Sequence, residues 1–324
     1  MKKKIFLLKG HNHSLVGVKW LPRSNQIISA DISGMFRIWD IRTFTTVQTF
    51  NCPLNEISCF AVTYPPKRII AGGRRLVFYD YDEPTDHHLA DDQACLCVLY
   101  NSTFYTFVTA HPKCIKVWDA QTGELQSVFR DLSHKEITCI TMDKRERKLF
   151  VGDQKGRLFS INIKNGAKMK KFKKSKKSGK KEKNDISCLY YWPEKTSVIS
   201  SSWDGKVRVF DDGTADQEGA KRYTMKKHKE SVNFIDFRNN LCASCSDDAT
   251  IVVYNYGSYR QEGILKVPAN PLYPDPSELK ICKFLGEHNC IVAADIDGFL
   301  HFFAITPSPR KNEHLLKVSN VNIS

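Results

Sequence analysis

His11, Ser29 and Asp31 are the three residue types of a nucleophilic triad, in which an imidazole takes the proton of a hydroxyl and a carboxylate holds the imidazolium. The same types recur further along the chain, as His134 with Asp153 and as His228 with Ser244 and Asp247. A triad needs one copy, so the recurrence points to a structural role and no catalytic residue is expected. Cys242 and Cys245 have the spacing of a redox or zinc pair. They fall in a strand-like run, where residues three apart face opposite sides, and no second pair with zinc spacing follows. Phosphate-binding glycine loops, paired carboxylates and metalloprotease motifs are absent from the sequence. The expectation is a chain with no metal, no cofactor and no enzymatic activity; an enzyme is kept as a remote alternative.

Charge is the other candidate chemistry. The 324 residues carry a formal net charge of +14. Residues 164–183 hold eleven Lys and one acidic residue, Glu182, a net of +10, so the remaining 304 carry only +4. Lys173, Lys174, Lys176, Lys177, Lys180 and Lys181 are therefore partner-binding candidates. The segment has a single aromatic, Phe172, which argues against base stacking, since that needs interleaved rings. It suits sequence-blind attraction to acidic protein tails, a nucleic-acid backbone or anionic lipid. A nuclear-import signal and a merely solvated insertion share this composition.

Apolar residues make up 41% of the chain and charged residues 26%, which suits a soluble globular protein with a large core. No apolar run approaches the roughly 18 residues that a membrane helix requires. The basic start is followed by only Ile5 to Leu8, too short for a signal-peptide core. Eleven scattered cysteines, an odd number, fit free and mostly buried thiols in a reducing compartment.

A repeat must position these residues. An apolar run, a turn, a second apolar run, an Asp or Gly turn and a β-rich run recur, closing on an aromatic followed by Asp or on variants of that pair. The closing pairs are Trp39-Asp40, Tyr79-Asp80, Trp118-Asp119, Ile161-Asn162, Phe210-Asp211, Tyr254-Asn255 and Phe303-Ala304. They are spaced 40, 39, 43, 49, 44 and 49 residues apart, close to the roughly 40–45 of a four-stranded propeller blade. The first unit predicts strands over 15–20, 26–30, 35–40 and 45–50; later units start near Ile57, Ala94, Ile137, Ile186, Val232 and Leu279. The expected fold is all-β: one seven-bladed β-propeller of four-stranded antiparallel blades, with no amphipathic helix.

Gly10-His11 with Trp39-Asp40, and the Ser-x-Trp-Asp-Gly and Ser-Asp-Asp turns at Ser201 and Ser246, resemble WD-repeat β-propellers. The second and fifth units lack the Gly-His, and the fourth and seventh lack Trp and Asp at their ends. The resemblance implies a buried hydrogen-bonded relay of His11, Ser29, Asp31 and Trp39, with partial versions around His134 and His228. It implies a propeller over 1–305 and a tail over 306–324. Residues 2–8 would be the outermost strand of the last blade, with 314–318 as a competitor for that edge. The long connections, a basic insertion at about 173–185 and a Pro-rich loop at about 267–278, would share one rim, which adds Tyr273 to the partner-binding candidates.

Phe150-Val-Gly-Asp153, Asn165-Gly-Ala-Lys-Met-Lys170 and Trp203-Asp-Gly-Lys-Val-Arg-Val-Phe-Asp-Asp212 are similar to cilium- and flagellum-associated WD-repeat proteins. That resemblance implies a protein–protein interaction scaffold in a ciliary, axonemal or other cytoskeletal assembly, cytoplasmic or ciliary in location. Its implied partners are proteins, with the acidic tails of tubulin suiting the lysines. The alternative is an RNA-associated or nucleolar scaffold that uses the same lysines.

Overall fold

The computed structural model describes residues 7–21, 25–52, 54, 56–63, 68–80, 87–91, 93–172, 185–213, 218–258, 260–267, 277–285 and 290–305. Their strands form seven sheets, each an antiparallel four-stranded blade and one of them with a fifth strand added, the blade set of a seven-bladed β-propeller. A single turn of 3-10 helix, Pro193–Lys195, is the one helical element among the described residues. The chain divides into two compact units, one of Met1–Asn51 with Met225–Ser324 and one of Cys52–Thr224.

The first unit holds three blades. Blade 1 is Leu15–Leu21, Gln26–Asp31, Met35–Asp40 and Thr45–Asn51. Blade 6 is Val232–Arg238, Leu241–Ser246, Thr250–Asn255 and Arg260–Lys266. Blade 7 is Leu279–Phe284, Cys290–Asp295 and Leu300–Ala304, completed by Leu7–Leu8 from the start of the chain, with Leu7 opposite His301 and Leu8 opposite Leu300. The expected pairing of residues 2–6, and the competing 314–318, lie outside the described residues.

The second unit holds four. Blade 2 is Ile57–Val62, Arg68–Gly73, Leu76–Asp80 and His87–Asp91; blade 3 is Cys97–Asn101, Thr106–Ala110, Cys114–Asp119 and Leu125–Arg130. Blade 4 is Ile137–Met142, Lys148–Asp153, Leu158–Asn162 and Lys168–Phe172; blade 5 is Ile186–Trp192, Ser197–Ser202, Lys206–Asp211 and Lys221–Lys226. Blade 3 starts at Cys97 rather than near Ala94. The backbone of 94–95 is spent elsewhere: Cys95 N–H donates to Gly73 O, and Ala94 O accepts from His111.

Local chemistry explains the repeated pattern. Second strands such as Arg68–Gly73 and Cys290–Asp295 are buried along almost their whole length, because neighbouring blades cover both faces. The polar residue that closes the third strand in five of the blades has a job of its own. Asp40, Asp119, Asn162, Asp211 and Asn255 each accept the backbone N–H two residues on, which ends the strand in an Asx turn. A bulge recurs near the start of the first strand in blades 1, 2, 4, 5, 6 and 7. The bulged residue can reach sideways: Thr138 Oγ1 donates to Ile186 O at 2.6 Å, and Asn233 Nδ2 donates to Leu279 O at 2.8 Å. Each bond ties one blade to the next within a unit, in addition to the apolar clusters packed between them.

Blade 4 departs from the four-strand expectation. Glu218–Gly219, from the connection inside blade 5, lies parallel to its outermost strand, with Lys171 opposite Glu218 and Phe172 opposite Gly219. A Cβ at residue 219 would sit against the Phe172 ring, so only glycine admits this approach. Gly219→Val is therefore expected to cost about 1–3 kcal/mol through overpacking and to speed amide exchange over 168–172. Unchanged exchange there would show that the added strand is held by something else.

Candidate functional site

The four relay residues expected in blade 1 lie together. His11 is in the loop after Leu7–Leu8, Ser29 and Asp31 are at the end of the second strand, and Trp39 is in the third. Trp39 Nε1–H donates to Ser29 Oγ at 2.8 Å, Ser29 Oγ is 2.7 Å from His11 Nε2, and His11 Nδ1 is 2.8 Å from Asp31 Oδ2. With Ser29 accepting from the indole, its own hydrogen goes to Nε2, which leaves the His11 proton on Nδ1 facing the carboxylate. The second oxygen of Asp31 accepts from Ser33 Oγ at 2.6 Å and from the N–H groups of Ser33 and Met35, which closes the turn. A Cβ at Gly10 would be 2.9 Å from the Arg37 guanidinium carbon, a contact this flexible side chain can relieve by moving, and that guanidinium lies 5.8 Å from the Trp39 ring centroid.

This arrangement is unfit for nucleophilic catalysis. Ser29 is 0% exposed and its hydroxyl is occupied on both sides by His11 and Trp39. What it does is satisfy a string of buried polar atoms that would otherwise destabilise the blade.

Two of the expected partial relays need correction. In blade 6, His228 Nε2 is 2.7 Å from Ser244 Oγ, but the acid beside its Nδ1 is Asp248 at 3.2 Å, not Asp247. Asp247 faces the other way and takes Asn233 Nδ2 at 2.6 Å and Lys280 Nζ at 3.0 Å. Adjacent residues on a tight turn point to opposite sides, and Ser246 occupies the position that Asp31 holds in blade 1. In blade 4, His134 is exposed and Ser133 Oγ is the group on Asp153, at 2.8 Å.

A further relay in blade 3 is not legible in the sequence, where His111-Pro112 reads only as a turn. Trp118 Nε1–H donates to Thr109 Oγ1 at 2.8 Å, Thr109 Oγ1 is 2.9 Å from His111 Nε2, and His111 Nδ1–H donates to Ala94 O at 2.8 Å. Here the histidine sits on the turn and an acid at the end of the preceding strand, the reverse of blade 1. That acid, Asp91, holds Lys116 Nζ at 2.6 Å. The signal for it is the Thr109-to-Trp118 spacing, one residue shorter than Ser29 to Trp39.

A second regularity is a basic residue type two residues before the closing aromatic: Arg37, Lys116, Arg208 and His301. Lys116 meets Asp91, Arg208 meets Asp204, and His301 Nε2 meets Asp295 Oδ2 at 2.8 Å. In blade 5, which lacks a relay histidine, Arg208 thus supplies the partner of the turn carboxylate.

Burial pushes the His11 pKa below its ordinary 6.5, against the pull of its hydrogen bond to Asp31. Burial also lowers His111, against its bond to Ala94 O. Burial alone would raise Asp31, but the hydrogen bonds from Ser33 and His11 outweigh it and hold the carboxyl below 3.8. Both histidines are therefore neutral in the folded chain and favour it fully above about pH 6.5. Below that, the unfolded chain takes up protons that the folded chain refuses, so stability falls with pH until the lowered folded values are passed. The melting temperature is expected to drop as the pH is taken from about 7.5 to about 5.5. Asp31 adds nothing in that range. A level melting temperature would contradict neutral buried imidazoles at both positions.

Lys173, Lys174, Lys176, Lys177, Lys180, Lys181 and Tyr273 lie outside the described residues. Among the described residues, no group of three or more His, Cys, Asp or Glu is placed to hold a metal ion. No described helix is long and apolar enough to cross a membrane.

Seven blades, two of them (blades 1 and 3) with a Trp–Ser/Thr–His relay, are the architecture of a β-propeller. Residues 2–40, 173–211 and 219–255 match the WD domain, G-beta repeat family, so the chain carries WD repeats. It is 24% identical over 310 residues to cilia- and flagella-associated protein 337 B of Tetrahymena thermophila, covering 94% of this chain and 24% of that protein. It is 23% identical over 252 residues to the WD repeat-containing protein on Y chromosome of Drosophila pseudoobscura pseudoobscura, covering 72% of this chain and 23% of the relative. The same protein of Drosophila ananassae matches to the same extent. The chain thus spans about a quarter of the length of these curated relatives.

Proposed function

We propose that this chain is a non-catalytic protein–protein interaction scaffold of a ciliary or axonemal assembly. The observation that carries this reading is the similarity over 94% of the chain to a protein associated with cilia and flagella. The relays support it, because the residues with catalytic chemistry are consumed in holding blades together and leave the connecting loops to recognise partners. The lysine segment, with net charge +10 over 164–183, suits the acidic tails of tubulin. Such a contact forms fast, is weak, and fades as salt rises, since exposed charges are screened over about 8 Å at physiological ionic strength.

Proximity labelling with the tagged chain in a ciliated cell tests the reading. Axonemal neighbours support it; nucleolar, RNA-bound neighbours overturn it in favour of the RNA-associated scaffold. Co-sedimentation with microtubules tests the lysines separately. Replacing Lys173, Lys174, Lys176, Lys177, Lys180 and Lys181 with Gln is expected to abolish most salt-sensitive pelleting and to leave the melting temperature unchanged. Full pelleting by that variant would remove the segment from the contact.

A further inference from the structure

We propose that Cys59 and Cys95 are an oxidisable dithiol, which a hydroperoxide converts into a disulfide that joins blades 2 and 3. Their sulfurs lie 3.6 Å apart, in van der Waals contact and unbonded. Cys59 belongs to the first strand of blade 2, and Cys95 to the connection that leads into blade 3. Neither sulfur has to be brought in from a distance. Cys95 is fixed to blade 2 through its backbone on both sides: its N–H donates to Gly73 O at 2.7 Å, and its carbonyl accepts from Ser58 Oγ. Gly72 leaves the space in which the sulfurs meet, since a Cβ there would be 2.7 Å from Cys95 Cβ and 3.0 Å from Cys59 Sγ. A disulfide needs its sulfurs about 2.05 Å apart, so the observed 3.6 Å contact has to shorten by about 1.5 Å.

Access makes the pair selective. Cys59 is partly exposed and Cys95 fully buried. Of the other interacting thiols, Cys245 and Cys282 are both 0% exposed and Cys139 and Cys188 are buried, so an oxidant in water reaches Cys59 before them; Cys97, beside Cys95, is partly exposed and is the competitor the test must separate. The oxidant acts first on Cys59 because, of the pair, only that sulfur is accessible, while Cys95, its thiol raised well above its ordinary value by the hydrogen bond with Cys59 and by burial, keeps its proton until the second step. The hydroperoxide transfers its terminal oxygen to the Cys59 sulfur, giving a sulfenic acid and the corresponding alcohol, or water from hydrogen peroxide. The Cys95 sulfur then attacks the Cys59 sulfur; the S–S bond forms, the S–O bond breaks, and the hydroxyl leaves as water with the Cys95 proton. Two thiols give up two electrons and two protons, and one peroxide is reduced.

The test treats the full folded chain with hydrogen peroxide and maps its peptides without reduction. Expected are the loss of two of the eleven thiols, a link between the Cys59 and Cys95 peptides, reversal by dithiothreitol, and a melting temperature raised by about 5 °C. Cys95→Ser is expected to abolish the link and to leave Cys59 as a sulfenic acid that dimedone traps; Cys95→Ala is the second variant if the serine disturbs packing. A link from Cys59 to Cys97 instead overturns the proposal. So does oxidation elsewhere with Cys59 and Cys95 left as thiols, or a Cys59–Cys95 link that forms only once heating has removed the near-ultraviolet dichroism of the folded chain.

Discussion

Trp39→Ala is expected to lower the unfolding free energy by about 3–5 kcal/mol, the range for deleting a large buried aromatic. The side chain is 2% exposed and belongs to the apolar cluster of Leu15, Ile27, Ile281 and Phe302, which joins blades 1 and 7 in the first unit. It also begins the relay through its bond to Ser29. Trp39→Phe separates the two contributions, because it retains most of the ring and removes the N–H. Ser29 then loses a donor while His11 keeps its place, and the expected cost is about 1–3 kcal/mol. Urea denaturation of both variants checks the pair of numbers. Equal losses would mean that ring packing contributes nothing beyond the hydrogen bond; no loss in the phenylalanine variant would mean that the relay is not a source of stability.

Phe172→Ala is expected to cost a similar amount, about 3–5 kcal/mol. In the sequence, Phe172 is the lone aromatic of the lysine-rich segment. In the structure it is 6% exposed and packs between Phe150 at 6.0 Å and Phe210 at 5.9 Å, ring centroid to centroid. It lies in the cluster between blades 4 and 5, with Gly219 directly over it. Its removal opens a cavity between two blades and loosens the added Glu218–Gly219 strand. The outcome contrasts with the lysine-to-glutamine variant, whose melting temperature is expected to hold while binding is lost. If Phe172→Ala leaves stability intact and weakens microtubule pelleting, the ring is a contact residue and its packing between the blades is incidental.

Both experiments bear on why the chain tolerates so degenerate a repeat. Only blades 1 and 3 end their third strand in Trp-Asp. Elsewhere the turn carboxylate is met by other residues: Arg208 on Asp204 in blade 5, Ser133 on Asp153 in blade 4, and His301 on Asp295 in blade 7. What persists is the requirement that the buried carboxylate of the turn find a donor. The residue that supplies it is free to change.

The sequence by itself determined the strands, their grouping by four, and the seven blades, since these depend on alternation, on turn residues and on a period read along the chain. It also singled out His11, Ser29, Asp31 and Trp39 through the resemblance to WD repeats. Tertiary structure decided which groups meet when the partners are about twenty residues apart. One residue more or less in a turn reverses the side to which a carboxylate points. Hence Asp248 and not Asp247 faces His228, Ser133 and not His134 reaches Asp153, and His111 builds a relay from the turn itself. The fifth strand of blade 4 and the Cys59–Cys95 contact were equally invisible, because each depends on a glycine whose missing Cβ matters only once another blade or strand is packed against it.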